Sequence, residues 1–311
     1  MSAFVYKADP VRGRVWAEVF ARQAEPELDF RIWPEIGDPA EVHYLAAWDP
    51  PADIRDTFPN LKLLFSSGAG VDQFKFDQLP ADLPVVRMVE PGIIKGMVEY
   101  VSWAVLSLHR DMPAYQRLQR EHSRWMPIQV RPAAKRCIGV LGMGSLGQAV
   151  LGQLRSFGFD CAGWSRSRHA VDGVRCFAGA EELGALLSRS ELLICLLPLT
   201  EATRGFLNAE LFAQLPAGAS LIHVGRGPQL VEADLTAALA SGQLKHAILD
   251  VTDPEPLPSS HAFWQHPQIW LTPHIASMTQ PETAAEVVLE NIRRFEAGEE
   301  MVGLVDRGLG Y

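Results

Sequence analysis

A chain of 311 residues, 48% of them apolar, is long for one small core and suits two α/β domains. Its formal net charge of −9 excludes a protein whose main task is neutralising nucleic-acid phosphates, because that task needs clustered Lys and Arg. The expected partner is a small molecule, with no nucleic acid.

The N-terminal segment MSAFVYKADPVRGRVW lacks the long apolar stretch of a signal peptide. Strand-like runs FVY, LDFRIW, VHYLAAW, LKLLFSS and LPVVRM then alternate with the helical patterns VRGRVWAEVFARQA and PADIRDTF. Alternation of this kind implies a parallel sheet with helices on its faces. A long helical region from about Val98 to Arg124, ending near Met126-Pro127, is read as the crossing between two lobes. The alternation restarts with CIGVLG, CAGWS, LLICLLP, SLIHVG, HAILDV and IWLTPH as strands, which predicts a second doubly wound sheet. The longest apolar run, LLICLLPL from Leu192, is too short to span a bilayer, so no membrane association is expected and the location is read as cytoplasmic. After Pro281 the pattern ETAAEVVLENIRRFEAG carries an apolar stripe that must be buried somewhere, and the first lobe is the candidate. Cys137, Cys161, Cys176 and Cys195 show no metal spacing and are read as reduced thiols in a reducing compartment, with no metal site. Trp48 and Trp125 could narrow a substrate pocket, but a tryptophan in an apolar context is usually core, and they are read so and left out of the catalytic set.

The second sheet opens with RCIGVLGMGSLGQAVLGQL. Gly142, Gly144 and Gly147 form G-x-G-x-x-G directly after an apolar strand and at the start of a helix, with Met143, Ser145 and Leu146 between them. The first glycine permits a tight turn, the second lets the backbone approach a pyrophosphate, and the third lets helix and strand press together. The helix N-terminus offers N–H groups to the anion. A glycine-rich turn without ligand is the competing reading.

About twenty residues on, where a carboxylate would bind the ribose 2′-hydroxyl of NAD, the chain has Ser165 followed by Arg166, Ser167 and Arg168. Removing that carboxylate removes a repulsion against a 2′-phosphate, and the two guanidinium groups can bond to it. NADP(H) is therefore expected over NAD(H), with NAD(H) left open. The alternative is a solvated loop.

Three later segments, IHVGRGPQLVEADL, ILDVTDPEPLP and WLTPHIAS, each place an ionisable residue just past a strand, where ligands gather in open α/β sheets. Together with SSGAGVDQF at Ser66–Phe74, LLPLTEATRGFLN from Leu196 and the tail VDRGLGY, they give the chain a motif order that resembles the D-isomer-specific 2-hydroxyacid dehydrogenases, closest to the glyoxylate/hydroxypyruvate reductase A branch. The resemblance covers nearly the whole chain. It implies a flavodoxin-like substrate-binding domain over 1–99, completed by the C-terminal helix at 283–311, and a Rossmann dinucleotide-binding domain over 100–282, with a cleft between them. It also implies a homodimer, with the Val98–Arg124 region as a candidate interface.

Position by position, the resemblance makes Arg226 the substrate-binding arginine, Glu255 the acidic partner and His274 the acid/base histidine. Reducing a 2-oxoacid needs a proton at the carbonyl oxygen, which a group titrating near neutrality supplies best. A neighbouring carboxylate orients the imidazole and favours its protonated form, so reduction should weaken at high pH. Arg226 offers a planar fork to the substrate carboxylate. Asp250 matches a position near the nicotinamide carboxamide, and Pro198 and Thr200 match the loop lining the cofactor; strand termination and helix capping are the equally physical alternative. Gly68, Ala69 and Gly70 match a loop whose backbone N–H groups bind the substrate carboxylate as a nest, with a simple turn feeding a helix as the competing reading.

Singly, each of the three has another reading: Arg226 as a loop brace, Glu255 as a solvated turn residue, His274 as a core histidine. The chain departs from the family in lacking the acidic residue after the second strand of the cofactor sheet, in having Thr252 where many relatives have an aromatic, and in having Pro228 after the glycine that follows Arg226. The leading function is NADPH-dependent reduction of small 2-oxoacids. A dehydrogenase for bulkier 2-oxoacids such as phenylpyruvate and a non-catalytic dinucleotide-sensing scaffold are the alternatives.

Overall fold

The computed structural model describes residues 2–23 and 28–310. They divide into two compact units, Met1–Ile93 with Met278–Tyr311, and Ile94–Ser277.

The first unit runs β1 (Ser2–Lys7), α1 (Pro10–Gln23), β2 (Leu28–Ile32), β3 (Val42–Ala47), a single-turn α2 (Ile54–Thr57), β4 (Leu63–Ser66) and β5 (Val85–Val86). Among the described residues these strands form one parallel sheet in the order β2-β1-β3-β4-β5. Ala3, Phe4, Val5 and Tyr6 are all buried, the continuous apolar run of a parallel strand covered on both faces. Successive side chains point to opposite faces. Phe4 therefore packs against Phe20 in a tilted pair at 4.7 Å between ring centroids and stacks on Phe30 at 5.5 Å, whereas Ala3 and Val5 join Leu45, Ala47 and Leu64 in the other core. Helix α1 buries Trp16, Val19 and Phe20, the i, i+3, i+4 stripe of an amphipathic helix. It packs against the C-terminal helix Pro281–Ala297, whose buried stripe includes Ala284, Ala285, Val288, Leu289 and Ile292.

The second unit begins within α3 (Pro91–His109) and continues through α4 (Met112–His122), β6 (Cys137–Leu141), α5 (Ser145–Ser156), β7 (Asp160–Ser165), β8 (Arg175–Ala178), α6 (Gly179–Leu187), β9 (Leu192–Cys195), α7 (Ala209–Ala213), β10 (Ala219–His223), α8 (Glu232–Ser241), β11 (Leu244–Leu249) and β12 (Ile269–Leu271). Its strands are parallel, in the order β12-β11-β10-β9-β6-β7-β8. The chain leaves β6 in one direction for β7 and β8 and returns to its other side for β9, so the strand order reverses between β6 and β9. That reversal opens a crevice at the carboxyl ends of the strands, where ligands bind in such sheets. Alternate residues of β9 feed two cores: Leu192 and Ile194 meet Val140, Ile222 and Ile248, while Leu193 and Cys195 meet Leu221, Leu235 and Leu249.

Two elements differ from the sequence reading. The long helical region starts earlier, at Pro91, and is two helices. Asp111 takes a left-handed conformation, φ +53°, and Pro113 occupies the first turn of α4, since a proline inside a helix removes a hydrogen bond and clashes with the preceding turn. Strand β8 was missed: it is four residues at the sheet edge, flanked by Gly173 and Gly179, both with positive φ.

Trp48 and Trp125 are exposed, not core. All four cysteines are free and lie on strands, and burial pushes the Cys161 and Cys195 thiols up to about 12. No described helix is long and apolar enough to cross a membrane.

Candidate active site

The glycine fingerprint folds as its spacing requires. Gly142 has φ +103° and donates its N–H to Trp164 O at 2.8 Å. A Cβ on Gly147 would stand 1.8 Å from the Gly142 carbonyl oxygen, so only glycine lets α5 start so close to the strand end. Around Gly144 a Cβ would meet nothing within 4 Å. Gly144 is the N-cap of α5 and contributes no side-chain hydrogen bond there. Open space at an uncapped helix N-terminus fits a pyrophosphate. Ser145 is exposed and Leu146 partly buried, whereas the Met143 side chain is fully buried in the core, leaving only its backbone to face a dinucleotide.

At the end of β7, Ser165 Oγ donates to Ser167 O at 2.7 Å, and the position itself carries serine where an NAD-type site would carry a carboxylate. Arg166, Ser167 and Arg168 are exposed. Arg168 is already paired: its Nη2 lies 2.5 Å from Glu182 Oε1, while Glu182 Oε2 accepts the Ala178 N–H at 2.7 Å. The Ala178 N–H and then Arg168 hold the Glu182 carboxyl below its usual value. Glu182 escaped the sequence reading because it lies fourteen positions on, across the unrecognised β8.

The ends of β10, β11 and β12 gather Arg226, Glu255 and His274. His274 Nδ1 lies 2.8 Å from Glu255 Oε2, and Thr252 N–H donates to Glu255 Oε1 at 3.0 Å. Burial pushes the Glu255 carboxyl up, but the bonds from His274 and Thr252 and the charges of His274 and Arg226 outweigh it and hold the pKa below its usual value. Glu255 is therefore ionised at neutral pH and can only accept, which places a proton on His274 Nδ1. Both side chains are a little over one-third exposed, enough to meet a ligand.

His274 has φ +54°, an uncommon conformation for a non-glycine residue. It persists because Asp250 grips the loop around it. The His274 N–H donates to the Asp250 carbonyl at 2.9 Å. The Asp250 carboxylate, 2% exposed, accepts from Thr272 Oγ1 at 2.6 Å, Ile275 N at 2.8 Å and Ala276 N at 2.7 Å. Tyr100 of α3 adds its hydroxyl to Thr272 Oγ1 at 2.5 Å. These contacts make Asp250 and Tyr100 supports of the histidine loop, a role not visible in the sequence.

Pro198 and Thr200 form a turn past β9, in which Thr203 Oγ1 donates to Pro198 O at 2.7 Å and accepts from Thr200 N at 2.8 Å. Gly68, Ala69 and Gly70 belong to the first unit. Neither glycine takes a positive φ, so the loop is a turn without left-handed glycine residues. Ser66 shapes it, its Oγ donating to Gly70 O at 2.7 Å and accepting from Gly68 N at 3.3 Å. The exposed Trp48 ring lies over Gly68, where a Cβ would come 3.0 Å from Cζ3.

Beneath the site, His223 is fully buried at the end of β10, and its Nε2 lies 2.9 Å from the Arg226 carbonyl oxygen. Burial lowers its pKa from 6.5 to about 4. Between those values the unfolded chain binds a proton that the folded chain refuses, so stability is full above pH 6.5 and falls as pH drops toward 4. The loss from this residue between about pH 7.5 and about pH 5 is expected to be about 2 kcal/mol. Urea unfolding at the two pH values should show it, and a His223→Gln variant should show a shallower dependence.

Known proteins resemble this chain along nearly its whole length. Residues 102–276 match the family profile described as D-isomer specific 2-hydroxyacid dehydrogenase, NAD binding domain. A glyoxylate/hydroxypyruvate reductase A of Yersinia enterocolitica is 44% identical over 293 residues, 92% of this chain and 93% of the relative. A D-isomer specific 2-hydroxyacid dehydrogenase from Xanthobacter autotrophicus Py2, solved in complex with NADPH and MES, superposes with a TM-score of 0.94 at 44% identity, over 100% of this chain and 99% of that one. An NADPH-dependent glyoxylate/hydroxypyruvate reductase from Sinorhizobium meliloti, solved with NADP and sulfate, gives 0.92 at 34% identity over 100% of both chains. With a profile match over more than half its length and such relatives along nearly all of it, the chain belongs to the D-isomer-specific 2-hydroxyacid dehydrogenase family of NAD(P)-dependent oxidoreductases.

Proposed function

We propose that the protein reduces glyoxylate and hydroxypyruvate to glycolate and glycerate with NADPH. The observation that carries the reading is the 2.8 Å contact between His274 and Glu255, beside the strand end that bears Arg226. The names and bound dinucleotides of the relatives support the same substrates and cofactor.

A bound NADPH supplies the hydride for the carbonyl carbon. Glu255 accepts the Nδ1–H bond of His274 and fixes the ring's tautomer and orientation, so that Nε2 is the nitrogen that gives a proton to the carbonyl oxygen. Arg226 takes the substrate carboxylate in its fork and polarises the carbonyl. Asp250 and Tyr100 keep the histidine loop in place. Gly142–Gly147 and the start of α5 would hold the pyrophosphate, the Pro198–Thr200 turn would line the cofactor, and Ser165, Arg166, Ser167 and Arg168 would receive the 2′-phosphate. Glu182, already paired with Arg168, would share that guanidinium with the phosphate. On the first unit, the amides of Gly68, Ala69 and Gly70 are further candidates for holding a carboxylate.

The test is oxidation of NADPH and of NADH with glyoxylate, hydroxypyruvate and phenylpyruvate. Charge-assisted bonds to the 2′-phosphate should favour NADPH by about 10–100-fold, with the two small oxoacids as better substrates. Preference for phenylpyruvate points to the bulkier-substrate alternative, and negligible turnover points to a scaffold.

The proposed assembly is a homodimer, located in the reducing cytoplasm where four free thiols persist. Exposed apolar side chains on and after α3 and α4, namely Trp103, Leu106, Met112, Trp125, Met126 and Val130, supply the surface for it.

A further inference from the structure

We infer that Gln229 and His223 are positioning residues that clamp the Arg226 peptide from two sides and so set where its guanidinium meets a 2-oxoacid. The inference rests on the reading of Arg226 given above.

The turn that carries Arg226 has almost no freedom. A Cβ on Gly225 would come within 2.2 Å of Gln229 Oε1 and 3.0 Å of Leu197 O, and one on Gly227 within 1.9 Å of Thr252 O. The turn is therefore wedged between the segment past β9 and the segment past β11 that bears Glu255. Gln229 is 0% exposed, and its amide is fully used. Oε1 accepts the Arg226 N–H at 2.8 Å, and Nε2 donates to Leu197 O at 3.1 Å and Pro198 O at 2.9 Å. From the opposite side, His223, also 0% exposed, places Nε2 at 2.9 Å from the Arg226 carbonyl oxygen. A carbonyl only accepts, so Nε2 carries the proton. Both backbone polar groups of Arg226 are thus held by buried side chains.

A side chain reaching back three residues to a backbone N–H is the device that closes the first turn of a helix. Here the 3-10 turn it closes, Gly227–Gln229, is only three residues long, so there is little helix to stabilise. Burying an amide is unfavourable unless every polar atom is bonded, and an apolar side chain could fill the same volume. What the amide adds is a fixed distance between the arginine turn and the Leu197–Pro198 segment that leads into the proposed cofactor loop. A fork that must meet a carboxylate and a carbonyl together needs that distance, since a shift of about 1 Å in a reacting geometry can cost about 100-fold.

The experiment is steady-state reduction of glyoxylate by NADPH with four variants: Gln229→Met, His223→Leu, His223→Gln, and Gln229→Met combined with Arg226→Lys, alongside Arg226→Lys alone. Gln229→Met should lower kcat/KM by about 100-fold, while 2′,5′-ADP, which engages only the phosphate end of the cofactor site, binds within about twofold of wild type. In the Arg226→Lys background the same change should cost less than about threefold, because it acts through the guanidinium. Additive losses in the double variant overturn the inference. Should Gln229→Met not fold, the histidine pair decides: His223→Gln keeps a donor near the Nε2 position and should restore most of the activity lost in His223→Leu, and equal losses in the two overturn the clamp. Full turnover by Arg226→Lys alone would instead remove the assignment of Arg226 on which the inference rests.

Discussion

Asparagine in place of His274 is expected to lower kcat for NADPH-dependent glyoxylate reduction by about 100- to 10,000-fold, the contribution of a positioned general acid. Asparagine is the informative replacement because position 274 has φ +54°, and among non-glycine residues asparagine enters that left-handed region most readily. The backbone can then keep the bonds from residue 274 N–H to Asp250 O at 2.9 Å and Thr272 O at 3.0 Å. The amide can still reach toward Glu255, yet it has no proton to release near neutral pH. Thermal unfolding and NADPH binding should therefore stay close to wild type while turnover collapses. Alanine would mix the lost acid with backbone strain, since a Cβ-bearing residue without a polar side chain disfavours that conformation. Near-normal turnover in His274→Asn would assign the proton to another group, and the Glu255 contact would then be a surface ion pair of small worth.

The parts of this site that the sequence reveals are those encoded locally. Gly142, Gly144 and Gly147 were readable because strand, turn and helix follow one another within a few residues, and each glycine answers a steric demand inside that stretch. Arg226, Glu255 and His274 were readable as polar residues just past apolar runs, given the resemblance that supplied their roles. What supports them was not readable. Asp250 meets residues 272–276 only because β12 lies beside β11 in the sheet, and Gln229 meets Leu197 and Pro198 only because β9 lies beside β10. These are facts of strand order, not of spacing. The Glu182–Arg168 pair was lost with the short edge strand β8, because without that strand the chain gives no reason to bring α6 back to the end of β7. The break between α3 and α4 carried a local signal in Met112-Pro113, but the apolar pattern on either side outweighed it in the reading.

Arg226→Lys keeps the positive charge and is expected nevertheless to lower kcat/KM for hydroxypyruvate by about 100- to 1,000-fold, the scale of losing a preorganised donor at a developing oxyanion, equivalent to about 3–4 kcal/mol of transition-state stabilisation. The reason lies in geometry. The guanidinium is a rigid planar fork, and one arm, Nη1, is bonded to Gly225 O at 2.8 Å, which limits the directions in which the remaining donors point. An ammonium is a compact, strongly hydrated charge on a flexible stem that can bind a carboxylate but cannot hold carboxylate and carbonyl oxygen in fixed relation. The backbone should not move, because Gly225 and Gly227 remain pinned against Leu197 and Thr252 and the Arg226 N–H and carbonyl bonds do not involve the side chain. The loss should divide between the constants: weaker ground-state binding of the carboxylate raises KM, and loss of carbonyl polarisation lowers kcat. A rise in KM with kcat untouched would confine Arg226 to binding. An unchanged kcat/KM would mean that the oxoacid is gripped elsewhere, and the positions of Glu255 and His274 beside this arginine would then have to be explained without it.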